Sequence, residues 1–209
     1  MKVINGLRLV IANSRNKPVY FFIKQSIDSF FSLCSLIILF PLLITVAIFI
    51  KLDSPGPIFY KQERIGLNGK PFFILKFRSM KIDAEKNGPQ WANQNDSRIT
   101  SVGYYLRKYR IDEIPQFLNI LRGEMSIIGP RPERSIFIKH FEKNVPDFRK
   151  RLQVKPGITG WAQINGGYEI EPKEKLELDL YYIYNFSILL DCKIILKSIP
   201  VILFAKGWR

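Results

Sequence analysis

Hydrophobic and polar positions are spread unevenly along the chain, and the longest apolar block sets the first constraint. From Phe30 to Ile50 the sequence FFSLCSLIILFPLLITVAIFI runs 21 residues without a charge, close to the roughly 20 that a helix needs to cross a bilayer. The block starts late and is followed by DSPGP rather than a small-residue cleavage site, so it reads as a retained membrane segment and not a signal peptide. Ahead of it, Tyr20–Asp28 (YFFIKQSID) reads as an interfacial helix leading into the membrane, with Lys24 and Asp28 spaced to pair on one face. Beyond it, Ile58–Gln62 and Phe72–Phe77 are β-prone and flank the turn signal Gly66-Leu67-Asn68-Gly69, which predicts a hairpin. Residues 83–100 are polar and turn-rich and predict a mobile surface loop able to order over a ligand. Helical patterns then cover Val102–Leu121, Ile136–Leu152, Leu176–Asn185 and Ile188–Phe204, the last strongly apolar with Lys193, Lys197 and Lys206 placed for a lipid surface. The pattern predicts an α+β, mainly helical fold with a small β-hairpin and amphipathic interfacial helices. Its expected units are an N-terminal interfacial segment (1–29), a membrane helix (30–50) and a cytoplasmic domain (51–209).

Charge changes the picture at the membrane block. Lys2, Arg8, Arg15, Lys17 and Lys24 precede it, and Lys51, Lys61, Arg64, Lys70, Lys76, Arg78 and Lys81 follow it. Both flanks read as cytoplasmic by the positive-inside rule, which one straight span cannot satisfy. Pro41 lies near the middle of the block, where a proline removes a backbone donor and crowds the preceding turn. A re-entrant helix broken at Phe40-Pro41 therefore fits better than its alternative, a straight helix kinked at the proline. Across the 209 residues, Lys+Arg 32 against Asp+Glu 18 gives a net charge of +14, which implies an anionic partner: phospholipid, phosphorylated substrate or nucleic acid. The basic residues are dispersed rather than gathered in a nucleic-acid motif, which favours the first two over a membrane-tethered nucleic-acid binder. Cys34 and Cys192 have no metal-like spacing, so a reducing compartment is the default, and His140, the single histidine, reads as a surface residue.

Three stretches carry candidate chemistry. In Arg107-Lys108-Tyr109-Arg110-Ile111-Asp112-Glu113-Ile114-Pro115-Gln116, the proline suits a first helical turn and puts Asp112 and Glu113 at or just before a helix start. Adjacent carboxylates beside arginines can divide labour, one attacking phosphorus or holding a proton while the other ligates a divalent ion. An acidic cap with a surface ion pair is the plain alternative. In Gly123–Pro132 (GEMSIIGPRP), two prolines fix the backbone around Arg131 and present its guanidinium in a set direction, as bidentate phosphate binding requires; a rigid loop with an exposed arginine explains the same residues. In Lys155–Gly167 (KPGITGWAQINGG), four glycines and Trp161 let backbone amides approach a ligand beside a stacking face, although turn chemistry alone accounts for the glycines.

The ordered set KFRSM (Lys76–Met80), IDEIPQFLNIL (Ile111–Leu121), GEMSIIGPRPE (Gly123–Glu133), KPGITGWAQINGG (Lys155–Gly167) and LDLYYIYN (Leu178–Asn185) resembles the bacterial sugar transferases. More narrowly it resembles the small monotopic phosphoglycosyl transferases that initiate exopolysaccharide, O-antigen or glycoprotein glycan assembly, over about residues 20–205. The resemblance implies transfer of a sugar 1-phosphate from a UDP-sugar to undecaprenyl phosphate with release of UMP, at the cytoplasmic face of the bacterial inner membrane, through a covalent aspartyl phospho-sugar. It also implies a re-entrant membrane helix, Asp112 as nucleophile, Glu113 as Mg²⁺ ligand, and Arg107 and Arg131 as phosphate holders, with Arg78 in a motif near the same site. Arg110, just ahead of the second motif, and Trp161 and Gln163, within the fourth, join these as candidate substrate-binding residues. The implied partners are the UDP-sugar, undecaprenyl phosphate and inner-membrane phospholipid, without nucleic acid; a homodimer stays open. Two departures stand out: Phe40-Pro41 replaces the family's Ser-Pro at the break, leaving Ser35 or Thr45 to compensate, and Gly167 replaces an arginine after Asn-Gly. They motivate a second reading as a non-catalytic membrane scaffold, against which the intact Asp112-Glu113 pair argues. Without the N-terminal multispanning domain of larger relatives, the chain resembles the minimal catalytic form. The sugar itself is not legible.

Overall fold

The computed structural model describes residues 18–86, 88, 96–166 and 170–205. Lys2, Arg8, Arg15, Lys17, Gly167 and Lys206, named above, lie outside these residues, as does most of the polar stretch 87–95. The chain is mainly helical with two small sheets.

Helix α1 spans Pro18–Ile38, running unbroken across the boundary expected at residues 29 and 30, and α2 spans Phe40–Asp53. They are separated at Leu39 (φ −85°, ψ 1°), two residues before Pro41. Pro41 has no N–H for the carbonyl of Ile37 and its ring crowds that carbonyl, so the first helix ends and the second restarts with the proline in its opening turn, where it is tolerated. Of the two side chains expected to compensate for the missing serine, Thr45 makes a bond here: its hydroxyl donates to the Pro41 carbonyl at 3.0 Å.

Both feet of this helix pair stand on the same body. On α1, Tyr20 and Lys24 bond Asp191 at 2.8 and 2.9 Å, while Asp28 accepts from the Ser126 hydroxyl at 2.7 Å and the Ile127 N–H at 3.3 Å. The Lys24–Asp28 pairing expected from their spacing therefore gives way to tertiary partners, because each residue has an oppositely charged or hydrogen-bonding group from another segment within closer reach. At the end of α2, Asp53 accepts from the Val102 N–H at 3.1 Å, and Val46 and Ile50 bury against Phe77 and Leu106. Between the feet, Phe30, Phe31, Ile37, Ile38 and Phe40 around the break are exposed.

The expected hairpin is present. Strands β1 (Phe59–Ile65) and β2 (Pro71–Phe77) pair antiparallel from Phe59↔Phe77 to Ile65↔Pro71, through a short 3₁₀ turn in which Asn68 and Gly69 take positive φ. The free edge of β2 is closed by a side chain. Asn119, fully buried, accepts from the Leu75 N–H at 3.0 Å and donates to the Phe73 carbonyl at 2.8 Å, doing the work of a third strand.

Two expected long helices are instead broken. Val102–Leu121 resolves into α3 (Ser101–Lys108), a 3₁₀ helix (Ile111–Gln116) and α4 (Phe117–Leu121), with Arg110 left-handed at the joint (φ 56°). Ile136–Leu152 resolves into α5 (Ser135–Asn144) and a 3₁₀ helix (Phe148–Gln153), interrupted around Pro146 and a left-handed Asp147 (φ 70°). The second sheet had no counterpart in the pattern: β3 (Ser126–Ile128) and β4 (Gly157–Thr159) pair in parallel. Then follow α6 (Trp161–Asn165), α7 (Pro172–Asn185) and α8 (Ile188–Leu203). The glycines of this region serve backbone contact. A Cβ on Gly157 would lie 2.1 Å from the Gly129 nitrogen, and one on Gly160 would lie 2.2 Å from the Gly129 oxygen, so the two loops meet main chain to main chain.

Replacing Asn119 with Ala leaves a buried donor and a half-buried acceptor of β2 unpaired, which costs about 2–4 kcal/mol. A clear drop in the thermal unfolding midpoint of detergent-solubilised Asn119→Ala is the expected result.

Candidate active site

A cavity of about 400 Å³ opens where β2, the 3₁₀ helix Ile111–Gln116 and the loop after β3 converge. The left-handed Arg110 starts the 3₁₀ helix, the Glu113 N–H bonds back to the Arg110 carbonyl at 3.1 Å, and Asp112 and Glu113 occupy the first turn, as their place before Pro115 suggested. Each is only 7% exposed. Two adjacent carboxylates buried this deeply require cations, and four segments supply them.

Lys76 on β2 donates to Glu113 at 2.7 Å and stands 3.9 Å from Asp112. Arg131, between Pro130 and Pro132, forks onto both oxygens of Glu113. Arg107, in the last turn of α3, and Arg110 line the same cavity. The consequences for the two acids differ. Burial pushes the Asp112 carboxyl above the ordinary range, with Lys76 opposing and the Glu113 charge reinforcing the rise. Burial acts on Glu113 in the same sense, but Arg131, Lys76 and Arg110 outweigh it and hold Glu113 well below the usual value. One carboxylate is thus a fixed anion clamped by two cations, and its neighbour is a higher-energy anion, the arrangement expected of a nucleophile or proton acceptor.

The other candidates from the sequence divide. Gln163 reaches the cavity wall, its amide N–H donating to the Ile158 carbonyl at 3.3 Å. Arg78 also borders the cavity, but its guanidinium donates to the carbonyls of Pro55, Ser54 (2.7 Å) and Ile50 (3.4 Å), tying off the end of α2. Gly56 makes room for it: at φ 122°, a Cβ there would sit 2.1 Å from Arg78 Nη1. Trp161 stands outside the cavity wall. Its ring stacks on Tyr181 (centroids 5.1 Å apart), with Lys193 and Lys197 at 5.6 and 5.8 Å from the ring centre.

Sequence reasoning passed over Lys76 as a site residue although it lies in a quoted motif. The signal was its register: it shares the face of β2 with the buried Phe72 and Ile74, and a lysine on an inward face needs an anion. It also passed over Glu133, which borders the cavity and pairs with Lys175 and, at 3.8 Å, with Arg64. Among the described residues, no three His, Cys, Asp or Glu side chains converge on one point.

Comparison with known proteins gives the chain's relatives. A family model described as bacterial sugar transferase matches residues 19–205. A UDP-N-acetylgalactosamine-undecaprenyl-phosphate N-acetylgalactosaminephosphotransferase of Aeromonas hydrophila is 45% identical over 195 residues, covering 92% of this chain and 46% of the relative. A UDP-glucose:undecaprenyl-phosphate glucose-1-phosphate transferase of Xanthomonas campestris pv. campestris is 41% identical, covering 90% of this chain and 40% of the relative. An exopolysaccharide production protein of Rhizobium leguminosarum bv. phaseoli is 42% identical, covering 85% of this chain and 93% of the relative. The chain spans less than half the length of the first two.

The raised Asp112 carboxyl carries a stability consequence. A group whose pKa is higher folded than unfolded destabilises the fold as pH rises through its unfolded value. The near-isosteric Asp112→Asn is therefore expected to unfold at a higher temperature than wild type near pH 7. The gap should close as pH falls below about 4, the unfolded aspartate value. Equal midpoints at neutral pH in thermal scans refute the assignment.

Proposed function

The chain belongs to the bacterial sugar transferases, and we propose that it transfers a sugar 1-phosphate from a UDP-sugar to undecaprenyl phosphate, releasing UMP. The observation that carries this reading is the buried Asp112-Glu113 pair facing a cavity rich in arginine and lysine. A diphosphate entering the cavity meets Arg131, Arg107, Arg110 and Lys76, which offset the repulsion between an anionic substrate and an anionic nucleophile.

In the proposed reaction a carboxylate oxygen of Asp112 attacks the sugar-bearing phosphorus. The bond from that phosphorus to the bridging oxygen breaks, UMP leaves with the bond's electrons, and an aspartyl phospho-sugar remains. A phosphate oxygen of the lipid then attacks the same phosphorus and frees Asp112 as the carboxylate. The acyl phosphate keeps the sugar phosphate activated between the two steps, so no nucleotide triphosphate is needed. Mg²⁺ is part of the proposal: that ion commonly takes one or two carboxylates and completes its shell with substrate phosphate and water, and Glu113, with Asp112 beside it, would hold it in exchange for part of its present bonding to Lys76 and Arg131. When bound, it would neutralise diphosphate charge.

The membrane arrangement is part of the proposal. Both ends of the α1–α2 pair bond to the same globular body while the apolar side chains around the break stay exposed, which supports a re-entrant pair entering and leaving the bilayer on one face. On α8, Leu189, Leu196 and Ile199 are exposed, as is Phe204 just past its end, and Lys193 and Lys197 lie nearby, which suits the surface of an anionic leaflet. With the basic flanks of the membrane block, this supports the cytoplasmic face of the bacterial inner membrane.

UMP release by the detergent-solubilised protein with Mg²⁺, measured over a panel of UDP-sugars, tests the activity. One donor should give lipid-dependent UMP, and Asp112→Asn should fall to background; a mutant that keeps activity sinks the nucleophile assignment. The acid limb of the rate profile should lie above about 3.9, the ordinary aspartate value. Since Lys76 lowers the Asp112 pKa, Lys76→Met should move that limb to still higher pH. For topology, Val19→Cys and Leu52→Cys in a Cys34→Ser, Cys192→Ser background should both be labelled from the cytoplasmic side; labelling from opposite sides in intact cells excludes the re-entrant form.

A further inference from the structure

The loop that presents Arg131 is fastened from behind at every carbonyl. Pro130 O accepts from the Gly157 N–H at 3.0 Å, Pro132 O from Arg64 Nη1 at 3.1 Å, and Glu133 O from the Ile65 N–H at 2.9 Å. The fourth, Arg131 O, accepts from Arg151 Nη2 at 2.9 Å. Arg151 lies in the 3₁₀ helix Phe148–Gln153 and is 2% exposed; its charge is met by Asp179 of α7, 1% exposed, at 2.7–2.8 Å through Nε and Nη2. Its guanidinium also lies over the Phe148 ring, 5.1 Å from the centroid, and stands 4.0 Å from Glu133.

A buried ion pair is a poor way to gain stability, since an apolar pair of similar volume often serves as well or better. An apolar pair, however, cannot donate to Arg131 O. Without that fork, Arg131 O would lose the donor it has here, and the loop would lose its hold at the residue that carries the guanidinium. Arg151 supplies a charge-assisted bond from a rigid fork, and Asp179 fixes the orientation of the fork.

We propose that Arg151, held by Asp179, is a positioning residue for Arg131: by fixing the Arg131 carbonyl it sets the direction in which the Arg131 guanidinium meets an anionic group bound beside Glu113. The inference rests on the reading of the cavity as a diphosphate site.

The test is UDP affinity, measured by titration calorimetry with Mg²⁺ on the full detergent-solubilised chain, as a mutant cycle. Arg131→Ala should weaken UDP by about 10- to 100-fold, as expected for loss of a charge-assisted contact. Arg151→Lys should weaken it by about 5- to 30-fold, because a lysine cannot hold Asp179 and the carbonyl in one plane. The double variant Arg151→Met, Asp179→Leu should keep the wild-type unfolding midpoint within a few degrees and show a similar loss. In an Arg131→Ala background, neither change should weaken UDP by more than about twofold, since the group they position is gone. A Met/Leu variant that folds and binds UDP as wild type does overturns the proposal, and so does a loss of equal size for Arg151→Lys with and without Arg131. A folded wild type that neither binds UDP nor releases UMP refutes the diphosphate reading itself, and the positioning role with it.

Discussion

Two neighbouring carboxylates inside a protein repel each other and lose their hydration, and the rest of the structure follows from making that placement tenable. Lys76, Arg107, Arg110 and Arg131 come from β2, α3, a left-handed joint and the loop after β3. Bringing four segments to one point requires short elements and sharp joints. This accounts for an interior assembled from short helices, 3₁₀ turns and a three-residue strand pair rather than from an extended sheet. The unequal result, Glu113 clamped and Asp112 left at higher energy, arises because Lys76 and Arg131 bond the first and only approach the second.

With so little regular sheet, single polar side chains do what strands do elsewhere. Asn119 closes the edge of β2 and so fixes the register that turns Lys76 inward. Arg78 gathers the carbonyls at the end of α2 and joins that helix to the strand that carries Lys76. Arg151 does the same for the loop carrying Arg131. Each makes several bonds at once, a geometry for which a planar guanidinium or amide is suited and a hydroxyl or ammonium is not.

Much of this was legible where the physics is local. A proline in an apolar helix marks a break, β-prone runs around a Gly-Leu-Asn-Gly turn mark a hairpin, and Asp-Glu ahead of proline marks a turn start; all three elements are found. The misreadings arise where local pattern and tertiary structure part. Apolar residues keep a helix-like spacing through Tyr109-Arg110 and Val145-Pro146-Asp147 because 3₁₀ turns present nearly the same face as α-turns, so two broken segments read as continuous helices. Strands β3 and β4, of three residues each, are too short to show a period. Nothing near Trp161 in the sequence reveals Tyr181, Lys193 and Lys197, which the fold gathers around its ring. Arg151 reads as one more charge on a basic surface, and only the fold reveals Asp179 opposite it.

The main-chain contact among Gly129, Gly157 and Gly160 has a consequence for remodelling this protein. Because no side chain fits between the two segments, that contact cannot be altered by mutation without prising β3 from β4 and moving Arg131 with them. Freedom to alter what the cavity admits lies instead with side chains such as Ile82, Ala84 and Pro172, which border it apart from the carboxylates and arginines. The chain is therefore divided into a part that redesign must leave alone and a part on which a library of variants can be spent.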